Sequence, residues 1–140
     1  MHKSVELAER NAEERVSIKH VDAAEEKIEK DRILEAISIH PKQFQLVLYS
    51  IISISTHTRE RIFTGEIYEL YKKICSQTGL RPLTQRRISD VIAEFDMLGI
   101  INASIISKGR YGRTREISLS ISSSIEQKIK DVLAEGLVLS

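Results

Sequence analysis

The 140-residue sequence is poor in the residues and motifs that build most enzyme sites, metal centres and disulfide frameworks. Cys75 is the only cysteine, which excludes an intramolecular disulfide and a cysteine-built metal site and is consistent with a reducing compartment. The histidines show no HExxH or related spacing, and the chain contains no Walker A phosphate loop, no GxGxxG and no GxSxG. We therefore expect a protein that is not an enzyme and that holds no metal.

The sequence also has no charged-then-apolar leader and no apolar run of transmembrane length. These absences predict a soluble, intracellular protein without a membrane partner. Met1 opens directly into a helical pattern, from which we expect the sequence to be a segment of a longer protein. The hydrophobic fraction of 41% is enough for one folded domain with its own core.

The net charge is only +1, but the charges are unevenly distributed. Residues 1–40 carry seven Lys or Arg and ten Asp or Glu, a net charge of −3, whereas residues 41–140 carry fourteen and ten, a net charge of +4. Residues 81–115 alone carry seven and three, so the basic excess is concentrated there. An anionic partner is therefore expected at this segment.

The basic segment has the pattern of a helix followed by a two-stranded hairpin. Apolar residues recur at helical spacing after Thr84, the N-cap candidate, until Gly99 ends the run. Ile100–Ser107 and Thr114–Ser122 show the partial alternation of strands, and the turn between them has two glycines and three cations. A helix followed by a basic hairpin is the ending of a winged helix-turn-helix domain.

Apolar spacing predicts five further helices, at about Ser4–Val16, Val21–Ser38, Pro41–Ile54, from Thr64 as N-cap to near Gly79, and Ser123–Glu135. The apolar sides of the second and the last are assigned to Ala24, Ile28, Leu34 and Ile37, and to Ile125, Ile129, Val132 and Leu133. Ile62-Phe63 is predicted to be a very short first strand. The fold class is thus mainly α with a small β-hairpin, a winged helix-turn-helix over residues 40–140 preceded by two helices in residues 1–39.

Winged modules that read duplex DNA place the N-terminal part of their second helix in the major groove. The candidate DNA-binding residues of this helix are Thr84, Gln85, Arg86, Arg87 and Ser89. Arg86 and Arg87 lie in the first turn, where cations oppose the helix macrodipole, and an anionic partner would explain them. The other interpretation is that they are ordinary exposed arginines.

The hairpin, or wing, would contact the neighbouring groove or the backbone. Its glycines allow a tight turn and a close approach, and arginine is favoured in a narrow minor groove by the enhanced negative potential. The candidate DNA-binding residues of the wing are Lys108, Gly109, Arg110, Tyr111, Gly112, Arg113 and Arg115. The other interpretation is a solvated hairpin whose edge charges prevent strand-to-strand association.

Several strings of the sequence resemble the C-terminal end of archaeal DNA replication initiators of the origin-recognition-complex / cell-division-control type. They are His40-Pro41, Gln45–Tyr49, Thr64–Tyr68, Leu83-Thr84, Arg87–Ser89, Leu98–Ile101 and, most specific of all, Gly109–Arg115. Residues from about 41 to 136 resemble the winged-helix domain, and Val5–Ile37 resembles the last helices of the lid of the preceding AAA+ ATPase module.

The resemblance implies an initiator that binds duplex DNA at replication origins, uses ATP with magnesium in its AAA+ module and takes part in recruiting the replicative helicase. By position, the recognition helix would be Thr84–Leu98, and the wing would be Lys108–Arg115. The phosphate loop of the ATPase core is not in this sequence, so we expect no cofactor in this chain.

Two functions are therefore open. The first is an origin DNA-binding domain, acting as a monomer on DNA in the cytoplasm and associated with the nucleoid. The alternative is a protein-interaction winged helix that docks the replicative helicase or another initiator, with acidic residues 6–35 as the candidate face. Replacing Arg110 and Arg113 with Ala should damage only the first function.

Overall fold

The structure, a computed structural model, describes residues 23–57, 61–107 and 113–137. The helix predicted over Ser4–Val16 lies outside the described residues, as do the wing-tip residues Lys108, Gly109, Arg110, Tyr111 and Gly112. The backbone of Arg113 belongs to a described strand, but its side chain lies outside the description.

The described elements follow the predicted order of helices and strands. Residues 23–38 are helical and are called α1. The further elements are α2 (Lys42–His57), β1 (Ile62–Phe63), α3 (Thr64–Thr78), α4 (Gln85–Met97), β2 (Ile101–Ser107), β3 (Arg113–Leu119) and α5 (Ser123–Gly136). None of the helices in these described ranges combines the length and apolar character needed to cross a membrane.

Helix α2 lies at the centre of the packing. Its apolar residues cover most of its circumference, which is typical of a helix enclosed by others, and α3, α4 and α5 all contact it. The buried residues of α2 are Leu46, Val47, Leu48, Ser50, Ile51 and Ile52. The breadth of this face in the sequence predicted its burial, and that prediction is confirmed.

The three strands form one antiparallel sheet in the order β1-β3-β2. The hairpin register pairs Ile101 with Leu119 at its base and Ile105 with Arg115 towards its tip. Ile117, in the central strand, is buried and pairs with Ile62 of the short strand β1. The predicted hairpin and the predicted short first strand are both confirmed.

Thr64 was predicted as the N-cap of α3, and this prediction is wrong. Thr64 is the first residue of the helix, and the N-cap is Phe63, whose side chain cannot cap a helix by hydrogen bonding. The other end of α3 closes with Gly79 in the left-handed region at φ 74°, where its N–H donates to the carbonyl of Cys75.

Three residues assigned to apolar faces, Ala24, Ile28 and Val132, are exposed instead. Ile28 of α1 is 68% exposed, whereas Ile33 and Ile37 are buried. Ile28 lies five positions before Ile33, and at about 100° per residue this turns its side chain by about 140° from the buried face. Val132 of α5 is 43% exposed, because it lies at the edge of the buried stripe.

Helix α1 packs on the same core as the winged helix. Its buried isoleucines belong to that core, and Arg32 Nη1 donates to the carbonyl of Leu98 at 3.3 Å. Ser124 of α5 donates to the Glu26 carboxylate at 2.7 Å. The assignment of residues 1–39 to the end of an AAA+ lid remains a prediction.

Candidate nucleic-acid interface

The turn that leads into α4 is held by a buried polar network. The hydroxyl of the fully buried Tyr71 accepts a hydrogen bond from the N–H of Leu83 at 2.8 Å and donates to Gln43 Oε1 at 2.5 Å. Gln43 Nε2 donates in turn to the carbonyl of Arg81 at 2.8 Å. Both ends of the turn are therefore bonded to α2 and α3, and this fixes where α4 begins.

This network is neutral. Burial raises the pKa of the Tyr71 hydroxyl to about 12, and burial also raises the pKa of the Cys75 thiol. Cys75 Sγ lies 3.9 Å from Gln43 Oε1, so the two groups share one acceptor. Both groups remain protonated at neutral pH, which suits a structural role and argues against a reactive thiol.

The first turn of α4 begins at the cap that the sequence predicted. Thr84 Oγ1 accepts the N–H of Arg87 at 3.2 Å, and the carbonyl of Thr84 accepts the N–H of Ile88. Gln85, Arg86 and Arg87 are all exposed. Across the described parts of the chain, the guanidinium groups of Arg86 and Arg87 have no hydrogen-bonding or ion-pair partner.

Arg115 connects the hairpin to α4. Its Nη1 donates to the carbonyl of Ser89 at 2.6 Å, and the side chain is half-buried. Sequence reasoning assigned Arg115 to DNA, but it had no signal for this internal bond, which depends on how the hairpin folds back. The same bond joins two of the predicted site residues.

Arg61 is a further cation beside the hairpin that sequence reasoning did not assign to the site. Its Nε lies 3.2 Å from Glu116 Oε1, and its side chain is 73% exposed. Glu116 is in β3 next to Arg115, so one strand carries an ion pair and a hydrogen-bonded arginine at successive positions. Proximity to the wing in sequence could not identify Arg61, because β1 reaches β3 only in the folded sheet.

The structure brings three of the predicted residues to one cleft. Gln85, Ser89 and Arg115 line it together with Thr64, Ile105 and Thr114. The side chains of the predicted wing residues 108–113 are not described, so their roles stay predictions.

Residues 35–128 match the model of the family described as CDC6, C terminal winged helix domain. The chain belongs to this family. Within the Cdc6 winged-helix family, it is 50% identical over 116 residues to the ORC1-type DNA replication protein 7 of Halobacterium salinarum, covering 83% of this chain and 22% of the relative. It is 48% identical over 128 residues to the ORC1-type DNA replication protein of Pyrococcus furiosus, covering 91% of this chain and 30% of the relative. This chain therefore spans less than a third of the length of these relatives.

Two solved structures resemble this Cdc6-type domain. The Aeropyrum pernix Orc1 protein, solved in complex with DNA, superposes with a TM-score of 0.70 at 42% identity, covering 84% of this chain and 30% of that one. Cdc6p from Pyrobaculum aerophilum has a TM-score of 0.56 at 22% identity, covering 74% and 26%, and supports the fold alone. The winged-helix fold and the resemblance to archaeal replication initiators are thereby confirmed.

Proposed function

We propose that this chain is the DNA-binding domain of an archaeal replication initiator and binds duplex origin DNA through α4 and the hairpin. The observation that carries the proposal is the pair Arg86 and Arg87, exposed and without a partner among the described residues, at the start of a helix whose position is fixed. The Aeropyrum pernix relative was solved with DNA, which supports the same class of partner here.

In this arrangement the residues that position α4 differ from those that would contact DNA. The hydrogen bonds of Tyr71 and Gln43 fix the loop that precedes α4. The N-terminal end of α4 can therefore enter a major groove without the loop having to become ordered on binding. Arg86 and Arg87 would contact phosphates or guanine edges, and Gln85 would contact adenine or phosphate. The wing, including Arg110 and Arg113, would lie on the adjacent groove.

The limits of the domain are part of the proposal. The family match covers a winged-helix domain, so we assign ATP use to the AAA+ module of a longer protein and no enzymatic activity to this chain. Residues 1–39 would be the end of that module's lid. The domain would act as a monomer on nucleoid DNA in the cytoplasm.

The test is a fluorescence-anisotropy titration against two labelled duplexes, one derived from an origin and one scrambled, at two salt concentrations. If four to six cations contact phosphates, the logarithm of the association constant should fall with the logarithm of salt at a slope of about −4 to −5. The Arg110→Ala/Arg113→Ala variant should bind more weakly. Absence of binding to both duplexes at low salt would contradict the proposal.

Docking of the replicative helicase or another initiator is the second candidate. Exposed Glu25 and Glu35 leave α1 with an acidic surface, and Asp31, which is also exposed, lies 3.8 Å from Lys30 Nζ. Part of its charge is balanced internally, however, because Glu29 pairs with Arg32 at 2.7 Å and Glu26 lies 4.0 Å from Lys128. A helicase pull-down that survives the Arg110→Ala/Arg113→Ala change would favour this second function.

A further inference from the structure

Helix α4 carries its charges in the order opposite to its macrodipole. Its first turn holds Arg86 and Arg87 and no acidic residue, and its last turn holds Glu94 and Asp96 and no basic residue. A helix dipole favours anions at the N-terminal end and cations at the C-terminal end. Neither end of α4 therefore carries the charge that would stabilise it.

The cation at the C-terminal end of α4 comes from another helix. Leu98 is the C-cap, and its αR backbone (φ −76°, ψ −6°) keeps its carbonyl in the direction of the helix carbonyls. Arg32 of α1 donates Nη1 to that carbonyl at 3.3 Å. Among the described residues, no other cationic side chain is bonded at this end. Arg32 thus provides the favourable charge that α4 itself lacks.

Arg32 is held in place by its own helix. Its Nη2 lies 2.7 Å from Glu29 Oε1 and its Nε lies 3.2 Å from Glu29 Oε2, a bidentate pair within α1. These hydrogen bonds hold the pKa of the Glu29 carboxyl below its ordinary value. Ile33 and Ile37 of α1 are buried in the core that also contains Phe95 of α4. A guanidinium group fixed in this way loses little conformational entropy when Nη1 bonds the end of α4.

Arg32 is bonded at the junction between the two proposed DNA contacts. Strand β2 begins at Ile101, just after Leu98, so the end of α4 is also the base of the hairpin. Arg86, near the other end, is about 18 Å away at 1.5 Å per residue, and the Tyr71 network holds the turn before it. A tilt of α4 by about 5° around that held end would move the base of the hairpin by about 1.6 Å, whereas binding groups need to be held within about 0.5 Å.

We infer that Arg32 is a positioning residue for DNA binding, which fixes the end of α4 and with it the spacing between the first turn of α4 and the wing. The inference rests on the proposed function. Arg32 acts through α4 and not through phosphates, because over about 18 Å exposed charges are largely screened at 0.1 M ionic strength. The family match begins at residue 35, so the working DNA-binding unit extends to α1, before the matched residues.

The test uses Arg32→Gln in the full chain, with Lys27→Gln as the matched control. Lys27 lies on the same helix, is exposed and has no side-chain partner in the described ranges, so its replacement removes the same charge without touching the bond to α4. Both variants are titrated by fluorescence anisotropy against one labelled duplex at several salt concentrations. Arg32→Gln should bind about 3- to 5-fold more weakly with an unchanged salt slope, and Lys27→Gln should bind like the wild type. Urea denaturation checks that each variant is folded under the titration conditions.

The wing variant distinguishes positioning from other effects of Arg32. The spacing between two contacts matters only while both are made, so Arg32→Gln should cost little more affinity in the Arg110→Ala/Arg113→Ala background at low salt. A loss of the same size in both backgrounds would overturn the inference, since Arg32 would then act independently of the wing. A salt slope less steep by about 0.9 would also overturn it, because Arg32 would then contact a phosphate itself.

The wild type separates this inference from the function on which it rests. Equal binding by Arg32→Gln and the wild type would overturn the positioning role and leave the proposed function intact. Failure of the wild type to bind any duplex at low salt would instead refute the proposed function.

Discussion

Two sets of polar side chains at the helix-turn-helix differ in what they contact. Tyr71 and Gln43 are bonded to the turn before α4, and Thr84 caps the helix. Arg86 and Arg87, in the first turn of α4, have no side-chain partner in the described residues. The first set holds α4 in place, and the second set is available to another molecule. Substitutions in the first set should therefore lower the free energy of unfolding, and substitutions in the second set should lower the affinity for DNA.

The largest effect on binding is expected for Arg86→Ala combined with Arg87→Ala. Loss of two contacts should weaken DNA binding about 10- to 100-fold at low salt and make the salt slope less steep by about 1.8. The free energy of unfolding should stay the same or rise by about 0.3 kcal/mol or more, because cations at a helix N-terminus oppose the dipole. Anisotropy titrations and urea denaturation measure the two quantities.

The matched control for this pair removes two cations from α5, with Lys128→Ala and Lys130→Ala. Helix α5 packs on α2, and Lys130 lies 5.8 Å from the centre of the Tyr49 ring. The control should retain most of the affinity. An equal loss of affinity in both variants would mean that DNA binding depends on the total charge of the protein. Arg86 and Arg87 would then have no special role in the contact with DNA.

The largest effect on stability is expected for Tyr71→Phe. The change leaves the Leu83 N–H without its acceptor in a partly buried site, which costs about 1–3 kcal/mol in the free energy of unfolding. Urea denaturation measures this cost. Tyr68→Phe is the control, since the half-buried Tyr68 stacks near Tyr71 but its hydroxyl has no described partner. A similar loss in both variants would contradict the role of the network.

The same substitution has a pH signature. Burial raises the pKa of the Tyr71 hydroxyl in the folded protein to about 12 from the ordinary value of about 10, so its contribution to stability is complete below pH 10 and is lost as the pH rises towards 12. The difference in free energy of unfolding between wild type and Tyr71→Phe should therefore narrow above pH 10. A constant difference would show that burial does not raise the pKa of this hydroxyl.

A smaller loss is expected for Thr84→Ala. Removing the side-chain acceptor of the Arg87 N–H should cost about 1 kcal/mol in the free energy of unfolding, and Thr84→Ser should recover most of it. Thermal unfolding of the two variants checks this order. If serine fails to recover stability, the cap is not what holds this turn.

The smallest effect is expected for Arg61→Ala. Arg61 has a side-chain partner, Glu116, as the residues of the first set do, but it is exposed like Arg86 and Arg87. Exposed ion pairs contribute about 0.2–1 kcal/mol to the free energy of unfolding. Glu116→Gln should give a similar small loss in urea denaturation. A loss of more than about 1 kcal/mol would show that an exposed ion pair can stabilise this fold as much as the buried hydrogen bonds do.

Much of this fold could be predicted from local patterns. The apolar face of α2, the Thr84 cap and the hairpin were predicted because periodicity, capping chemistry and turn residues act over a few positions. The family resemblance pointed to the same domain. Errors arose where two patterns competed locally, as at Thr64, where a good capping residue lies one position inside the helix.

The connections of the site could not be predicted in the same way. Tyr71 and Gln43 are 28 residues apart, and Ser89 and Arg115 are 26 residues apart, so no local pattern links them. Ile28 was placed in the core because its helix has apolar residues on more than one side, and only packing selects the buried one. Long-range polar contacts depend on where whole elements lie.

The most direct test of this account is amide chemical-shift mapping of the isotope-labelled chain as a short duplex is added. We predict shifts at residues 84–89 and 113–116, with the amides of α5 unchanged. Shifts confined to α1 and α5, with none in the first turn of α4, would contradict the claim that this helix is the DNA-binding surface.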